Sequence, residues 1–95
     1  DFAGITTVDN GLNSISIFPN PATSYANIDM TVVEGGNATI NVYDINGKLV
    51  YTENLGRTSE GNRVYKLNTQ NFRHGMYLVN VNIGSKAATS KLIVR

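Results

Sequence analysis

Ninety-five residues, 41% of them hydrophobic and 16% charged, make one domain with a single modest core, too apolar to be intrinsically disordered and too small for a deep active-site cavity. With no cysteine in the chain, disulfides, thiolate metal ligation and a thiol nucleophile are excluded. The net charge of +1 hides an asymmetry: residues 1–50 carry Asp1, Asp9, Asp29, Glu34 and Asp44 against Lys48 alone, whereas Arg63, Lys66, Arg73, Lys86, Lys91 and Arg95 occupy a stretch from Gly61 onward that has no acid.

Residues 1–14 read as a linker, with Gly4, Asn10-Gly11 and Asn13-Ser14 as breakers and no sustained period. The domain is expected to occupy residues 15–95. Ser14–Phe18 alternates Ile15 and Ile17 with Ser16 and stops at Pro19-Asn20-Pro21, where two residues without an N–H cannot continue a ladder. In Tyr25–Val33, residues Ala26, Ile28, Met30 and Val32 share one face and Asn27, Asp29 and Thr31 the other. Glu34-Gly35-Gly36-Asn37 reads as a hairpin turn. Ala38–Tyr43 repeats the alternation, with Ala38, Ile40 and Val42 inward, and Asp44-Ile45-Asn46-Gly47 turns the chain again. Lys48–Leu55 is a less regular strand because Leu49 and Val50 are adjacent apolar residues. Gly56–Gly61 reads as a polar loop, Arg63–Leu67 as a strand, and Asn68–His74 as an irregular turn that tucks Phe72 under the sheet. Gly75–Ile83 places Tyr77, Val79, Val81 and Ile83 on one face, Gly84-Ser85 turns, and Ala87–Val94 is the last strand. Seven short strands punctuated by turns predict an all-β, immunoglobulin-like antiparallel β-sandwich, with a small barrel as the alternative.

Little in the chain suggests a reaction. An enzyme needs a nucleophile, a base, a metal or a phosphate cradle gathered in one place. His74 is the only histidine and sits in a turn between Arg73 and Gly75. Asp44-x-Asn46-Gly47 begins like a calcium loop, but no further oxygen ligands or Glu follow at the required spacing. Asn37-Ala38-Thr39 matches a glycosylation acceptor and is given no role. The Gly35-Gly36 pair lacks the Lys-Ser/Thr and helix of a phosphate loop. Tyr25, Tyr43, Tyr51, Tyr65 and Tyr77 read as half-buried strand residues before sugar-stacking ones. No catalytic residue, cofactor or metal site is expected. The dispersed cations, without interleaved aromatic pairs, do not point to nucleic acid. No transmembrane segment is expected either, since no run of 18 apolar residues occurs. The N-terminus has no basic start followed by an apolar stretch, so the expectation is either a protein that stays where it is made or a fragment of a larger exported one; a start at Asp1 without an initiator Met fits a fragment or processed product.

Four strings carry a family resemblance. Ile15-Ser16-Ile17-Phe18-Pro19-Asn20-Pro21-Ala22, Val42-Tyr43-Asp44-Ile45-Asn46-Gly47-Lys48-Leu49-Val50, Leu67 through Phe72 with Gly75-Met76-Tyr77-Leu78-Val79, and Lys91-Leu92-Ile93-Val94-Arg95 follow one another in order. Together they resemble the four motifs of the type A C-terminal sorting domains of the type IX (Por) secretion system of Bacteroidetes. The mild departure is Ser90-Lys91 and a final Arg95 where that family usually ends on a pair of lysines. The resemblance implies a secretion signal that takes an upstream cargo from the periplasm across the outer membrane to the cell surface or the medium. Its implied partners are the type IX outer-membrane translocon, shuttle proteins and a cell-surface sortase that cleaves within or beside residues 1–14.

On this reading, recognition lies on the strand pair Gly75–Arg95, presented as a basic edge, with Gly75, Tyr77, Lys91, Leu92, Val94 and Arg95 as its residues. Pro19, Asn20, Pro21, Asp44 and Gly47 are expected to hold turns, Gly75 to permit close backbone approach, and Tyr77 to pack the core. The open edge would also allow a homodimer through that strand. The competing readings are a carbohydrate-binding or adhesive β-sandwich accessory module, and an inert spacer.

Overall fold

The computed structural model describes residues 13–95. Seven strands run in chain order: β1 (Asn13–Phe18), β2 (Tyr25–Val32), β3 (Gly36–Asp44), β4 (Leu49–Thr58), β5 (Gly61–Asn68), β6 (Gly75–Ile83) and β7 (Lys86–Val94). They form two antiparallel sheets, β1-β2-β5 and β4-β3-β6-β7, packed as an immunoglobulin-like sandwich. β1 starts two residues before the expected domain boundary, and the rest of the 1–14 segment lies outside the described residues.

The period-2 patterns select the core. Ile15, Ala26, Ile28, Met30, Val32 and Leu67 line one sheet, and Ala38, Ile40, Val42, Tyr77, Val79, Val81, Ile83, Ala88, Leu92 and Val94 line the other; all are buried. Burying a large aliphatic side chain of this kind contributes about 1.5–3 kcal/mol, so the two matched faces hold the sheets together.

Two sequence expectations change. The Glu34–Asn37 segment is no hairpin: β2 and β3 lie in different sheets, so the chain crosses from one layer to the other there. The crossing is tight. A Cβ on Gly36 would lie 2.9 Å from the Gly84 Cα, and one on Gly35 would lie 2.8 Å from the Thr58 carbonyl oxygen. The polar Gly56–Gly61 loop is mostly strand, since β4 runs on to Thr58 and β5 starts at Gly61. The low hydrophobicity there reflects two edge strands that face water along one side of the sandwich, not a loop. That side is stitched by the Tyr51 and Tyr65 hydroxyls, 2.7 Å apart. Burial, then the hydrogen bond with the Tyr51 hydroxyl, then the charge fields of Tyr51 and Glu53 hold the Tyr65 phenol well above the usual tyrosine range.

Candidate functional site

Antiparallel strands return the chain alternately to the two ends of the sandwich. One end collects the 19–24, 45–48 and 69–74 loops and the close of β7. Cross-links bind these segments together: the Thr69 N–H donates to the Ser24 carbonyl at 3.0 Å, and Ala22 forms a parallel bridge with Val94. The other end carries the 33–35 crossing, the Ser59-Glu60 turn and the Gly84-Ser85 turn, with the start of β1 at Asn13. All four motif strings therefore meet at the first end, called here the motif pole.

The first and last strings are clamped to each other. Proline lacks the N–H a ladder needs, so β1 stops at Phe18 and the Pro19–Ala22 segment, with cis Phe18-Pro19 and Asn20-Pro21 bonds, leaves its own sheet. It lies against the outer edge of β7. The Asn20 carboxamide stands in for a backbone unit, donating from Nδ2 to the Lys91 carbonyl and accepting at Oδ1 from the Ile93 N–H, both at 3.0 Å. The Ala22 N–H donates to the Ile93 carbonyl and the Arg95 N–H to the Ala22 carbonyl, both at 2.7 Å. The terminal stretch of β7 is thus a guarded edge. In the ladder with β6, alternate residues of β7 turn their backbone groups outward. On that side the backbone groups of Ala87 and Thr89 have no hydrogen-bond partner among the described residues.

The second string is a hairpin tip. Asp44 Oδ1 accepts the N–H groups of Asn46 and Lys48, each at 2.9 Å, and Gly47 takes φ +85°, which an L side chain resists. The third string supplies aromatic packing. Tyr77 is buried and donates its hydroxyl to the Arg73 carbonyl at 2.7 Å. The Phe72 ring sits 5.2 Å from that of Tyr77 and 6.2 Å from that of Tyr51. Gly75 does not serve close approach as expected. Nothing lies within 4 Å of a Cβ placed on it, and its φ of +153° is the reason for glycine.

Strand alternation sorts the expected recognition residues. Leu92 and Val94 point into the core, whereas Lys91 is half-buried and Arg95 exposed. The outward partner between them is Ile93, half-buried beside Met76 in the cross-strand register. Lys91 pairs with Leu78, Leu78 with Tyr43 and Tyr43 with Leu49, so the outer sheet face at the motif pole is apolar with a cationic margin. Farther along the same face the surface turns polar. Thr52, Asn41, Asn80 and Thr89 form one row across four strands, joined by bonds of 2.7, 3.5 and 3.2 Å. Ile93 was legible in the sequence, since the order Lys-Leu-Ile-Val-Arg already alternates polar or outer positions with inner ones.

A recess of about 520 Å³ opens beside the hairpin tip, lined by Asp44, Lys48, Val50, Tyr51, Phe72 and Arg73 among others. A register shift between Val42 and Tyr43 places Leu49 and Val50 together in the ladder, which is how Val50 comes to line it beside Tyr51. Lys48, Val50 and Arg73 were not among the expected recognition residues, because the loop that brings Arg73 beside the hairpin tip is set by tertiary packing. His74 is exposed in that loop. Among the described residues, no group of three or more His, Asp or Glu side chains could hold a metal ion, and no helix is long and apolar enough to cross a membrane.

Comparison with known proteins gives two findings. A family model described as a secretion system C-terminal sorting domain matches residues 16–95. Among solved structures, the crystal structure of dimeric latent PorU from Porphyromonas gingivalis superposes with a TM-score of 0.66 at 22% identity, covering 92% of this chain. The chain spans only 10% of that protein, and the likeness concerns the fold. No curated protein matches.

Proposed function

Since the chain belongs to the family of type IX secretion system C-terminal sorting domains, we propose that its motif pole is the address that the outer-membrane translocon and its shuttle proteins read. The observation that carries this reading is the convergence of all four motif strings on one end of the sandwich, while β1 starts at the other. The domain is thus entered through β1 at the end away from the address. A cell-surface sortase cuts in the 1–14 segment, after which the cargo stays at the surface or is released. The domain itself carries out no reaction.

Recognition uses the outward residues of the β6–β7 pair, above all Lys91, Ile93 and Arg95. Leu92, Val94, Gly75 and Tyr77 hold that surface in shape from beneath. Because Ala22 and Asn20 guard the terminal edge, a partner that pairs by strand addition uses Ala87 and Thr89 or displaces the clamp. A homodimer through the β7 edge faces the same restriction.

Deleting Lys91–Arg95 is a poor test, because it removes Leu92 and Val94 from the core together with the partners of Asn20. The sharper experiment fuses the chain to a periplasmic reporter in a type IX-competent bacterium and compares it with Lys91→Glu/Ile93→Ser/Arg95→Glu. The native fusion is expected outside the cell and the triple variant inside, with unchanged thermal stability of the purified domain. Surface delivery of the folded triple variant at the native level refutes recognition through this strand.

A carbohydrate-binding role is less well supported. Phe72 packs edge-on to Tyr51 and tilted on Tyr77, Tyr77 is buried, and the Tyr25 ring is covered on one face by the Lys66 ammonium, so these rings do not form one aligned exposed platform for a sugar.

A further inference from the structure

From the recess beside the Asp44–Lys48 hairpin tip, we infer a docking pocket for an acidic peptide segment that inserts one aromatic side chain. The inference rests on the reading of the motif pole as the recognised surface and names the chemistry that one part of it selects.

The apolar part of the lining is Val50, 39% exposed at a register shift in β4, with Tyr51 and Phe72; Asn68 and Asn71 lie beside it. Its volume of about 520 Å³ lies within the range of roughly 300–1,000 Å³ typical of ligand pockets. Phe72 is half-buried and lines the recess, and an aromatic side chain can pack on such a ring edge-to-face or offset.

The rim is cationic. Lys48 stands on the hairpin side and Arg73 on the loop side, both exposed and without a carboxylate partner among the described residues. The acid of the recess is Asp44, and one of its carboxylate oxygens is already engaged by two turn N–H groups. Lys91 and Arg95 extend the same sign around the motif pole. An incoming segment that places negative charge near Lys48 and Arg73, on either side of an apolar anchor, complements this rim. A peptide does this with neighbouring Asp or Glu residues, and Arg73 is suited to bidentate carboxylate recognition. An anionic glycan lacks the ring that the floor accepts, and a lipid surface is flat where this site is concave.

The test is a ¹H–¹⁵N NMR titration of the chain with acetyl-Asp-Glu-Phe-Glu-Asp-amide. Saturable shifts are expected at the amides of Lys48, Phe72 and Arg73, weakening as salt rises. Replacing the peptide's Phe by Ala, or making Lys48→Glu/Arg73→Glu in the protein, is expected to weaken binding at least about tenfold. The charge-reversed protein must keep its dispersed native spectrum; Lys48→Gln/Arg73→Gln serves as the milder variant if it does not. The proposal is overturned if no shifts occur, if the Ala peptide binds equally well, or if polygalacturonate or anionic phosphatidylglycerol vesicles shift the same amides and the peptide does not. The secretion assay with Lys48→Glu/Arg73→Glu separates the two readings. Loss of export without peptide binding retains the motif pole as the address and rejects this pocket's ligand. Peptide binding with unimpaired export of that variant rejects the pocket as part of the address.

Discussion

Asn20 is exposed and lies in a loop, yet the geometry makes it the fastener of the last strand. Asn20→Ala removes both carboxamide bonds to β7, each 3.0 Å long. A typical intramolecular hydrogen bond contributes about 0.5–1.5 kcal/mol net. Both bonds here are exposed, and water replaces them in the variant, so the lower half of the range applies and the pair is expected to contribute about 1–2 kcal/mol. At about 4–8 °C per kcal/mol for a domain of this size, the melting temperature should fall by several degrees. Amide hydrogen exchange localises the effect. The Ile93 N–H, whose acceptor is Asn20 Oδ1, should exchange about tenfold faster, the factor that corresponds to about 1.4 kcal/mol, beyond any change at Ile40 in the central strand β3. Asn20→Asp sharpens the argument, because it keeps the acceptor for Ile93 but turns a second oxygen toward the Lys91 carbonyl. It should destabilise at neutral pH and recover below about pH 4, where a protonated carboxyl donates again. If Ile93 exchanges in Asn20→Ala no faster than in the native chain, the clamp holds nothing and β7 is kept in place by core packing alone.

Other consequences are as direct. The raised Tyr65 phenol means that the folded state resists ionisation; its contribution is complete below the unfolded tyrosine pKa near 10 and is lost as pH rises through the higher folded value. Denaturant unfolding of the native chain should therefore weaken above about pH 10, and Tyr65→Phe should flatten that decline; equal slopes would count against the Tyr51–Tyr65 stitch. Leu92→Ala deletes a fully buried side chain of the terminal strand and should cost about 2–5 kcal/mol, measured by urea unfolding, which is why truncation of the tail reports on folding as much as on recognition. Gly36→Ala drives a Cβ to 2.9 Å from the Gly84 backbone and should cost about 1–3 kcal/mol. Gly47→Ala meets open space and bears only the positive-φ penalty of about 1–2 kcal/mol; a thermal melt that ranks Gly47→Ala well above Gly36→Ala in cost would show the crossing to be looser than described.

The strands β2, β3, β6 and β7 and their inward faces were legible because each buries one face only, so alternation such as Ala26, Ile28, Met30, Val32 records burial directly. The Asp44–Gly47 turn was legible for a similar reason: its hydrogen bonds and its positive φ involve neighbours in sequence. Which strands pair was not. The Gly35-Gly36 segment looks like a hairpin, yet the chain changes sheets there: β2 pairs with β1 and β5, and β3 with β4 and β6. In the same way β4 and β5, exposed at the open side, carry too little apolar pattern to mark their full length. The Asn20 clamp joins residues more than seventy positions apart, and Arg73 and Lys48 line one recess only because the 69–74 loop lies beside the hairpin tip. Local chemistry is written in the order of residues, and long-range contacts are decided by which surfaces remain to be covered once the two sheets have formed.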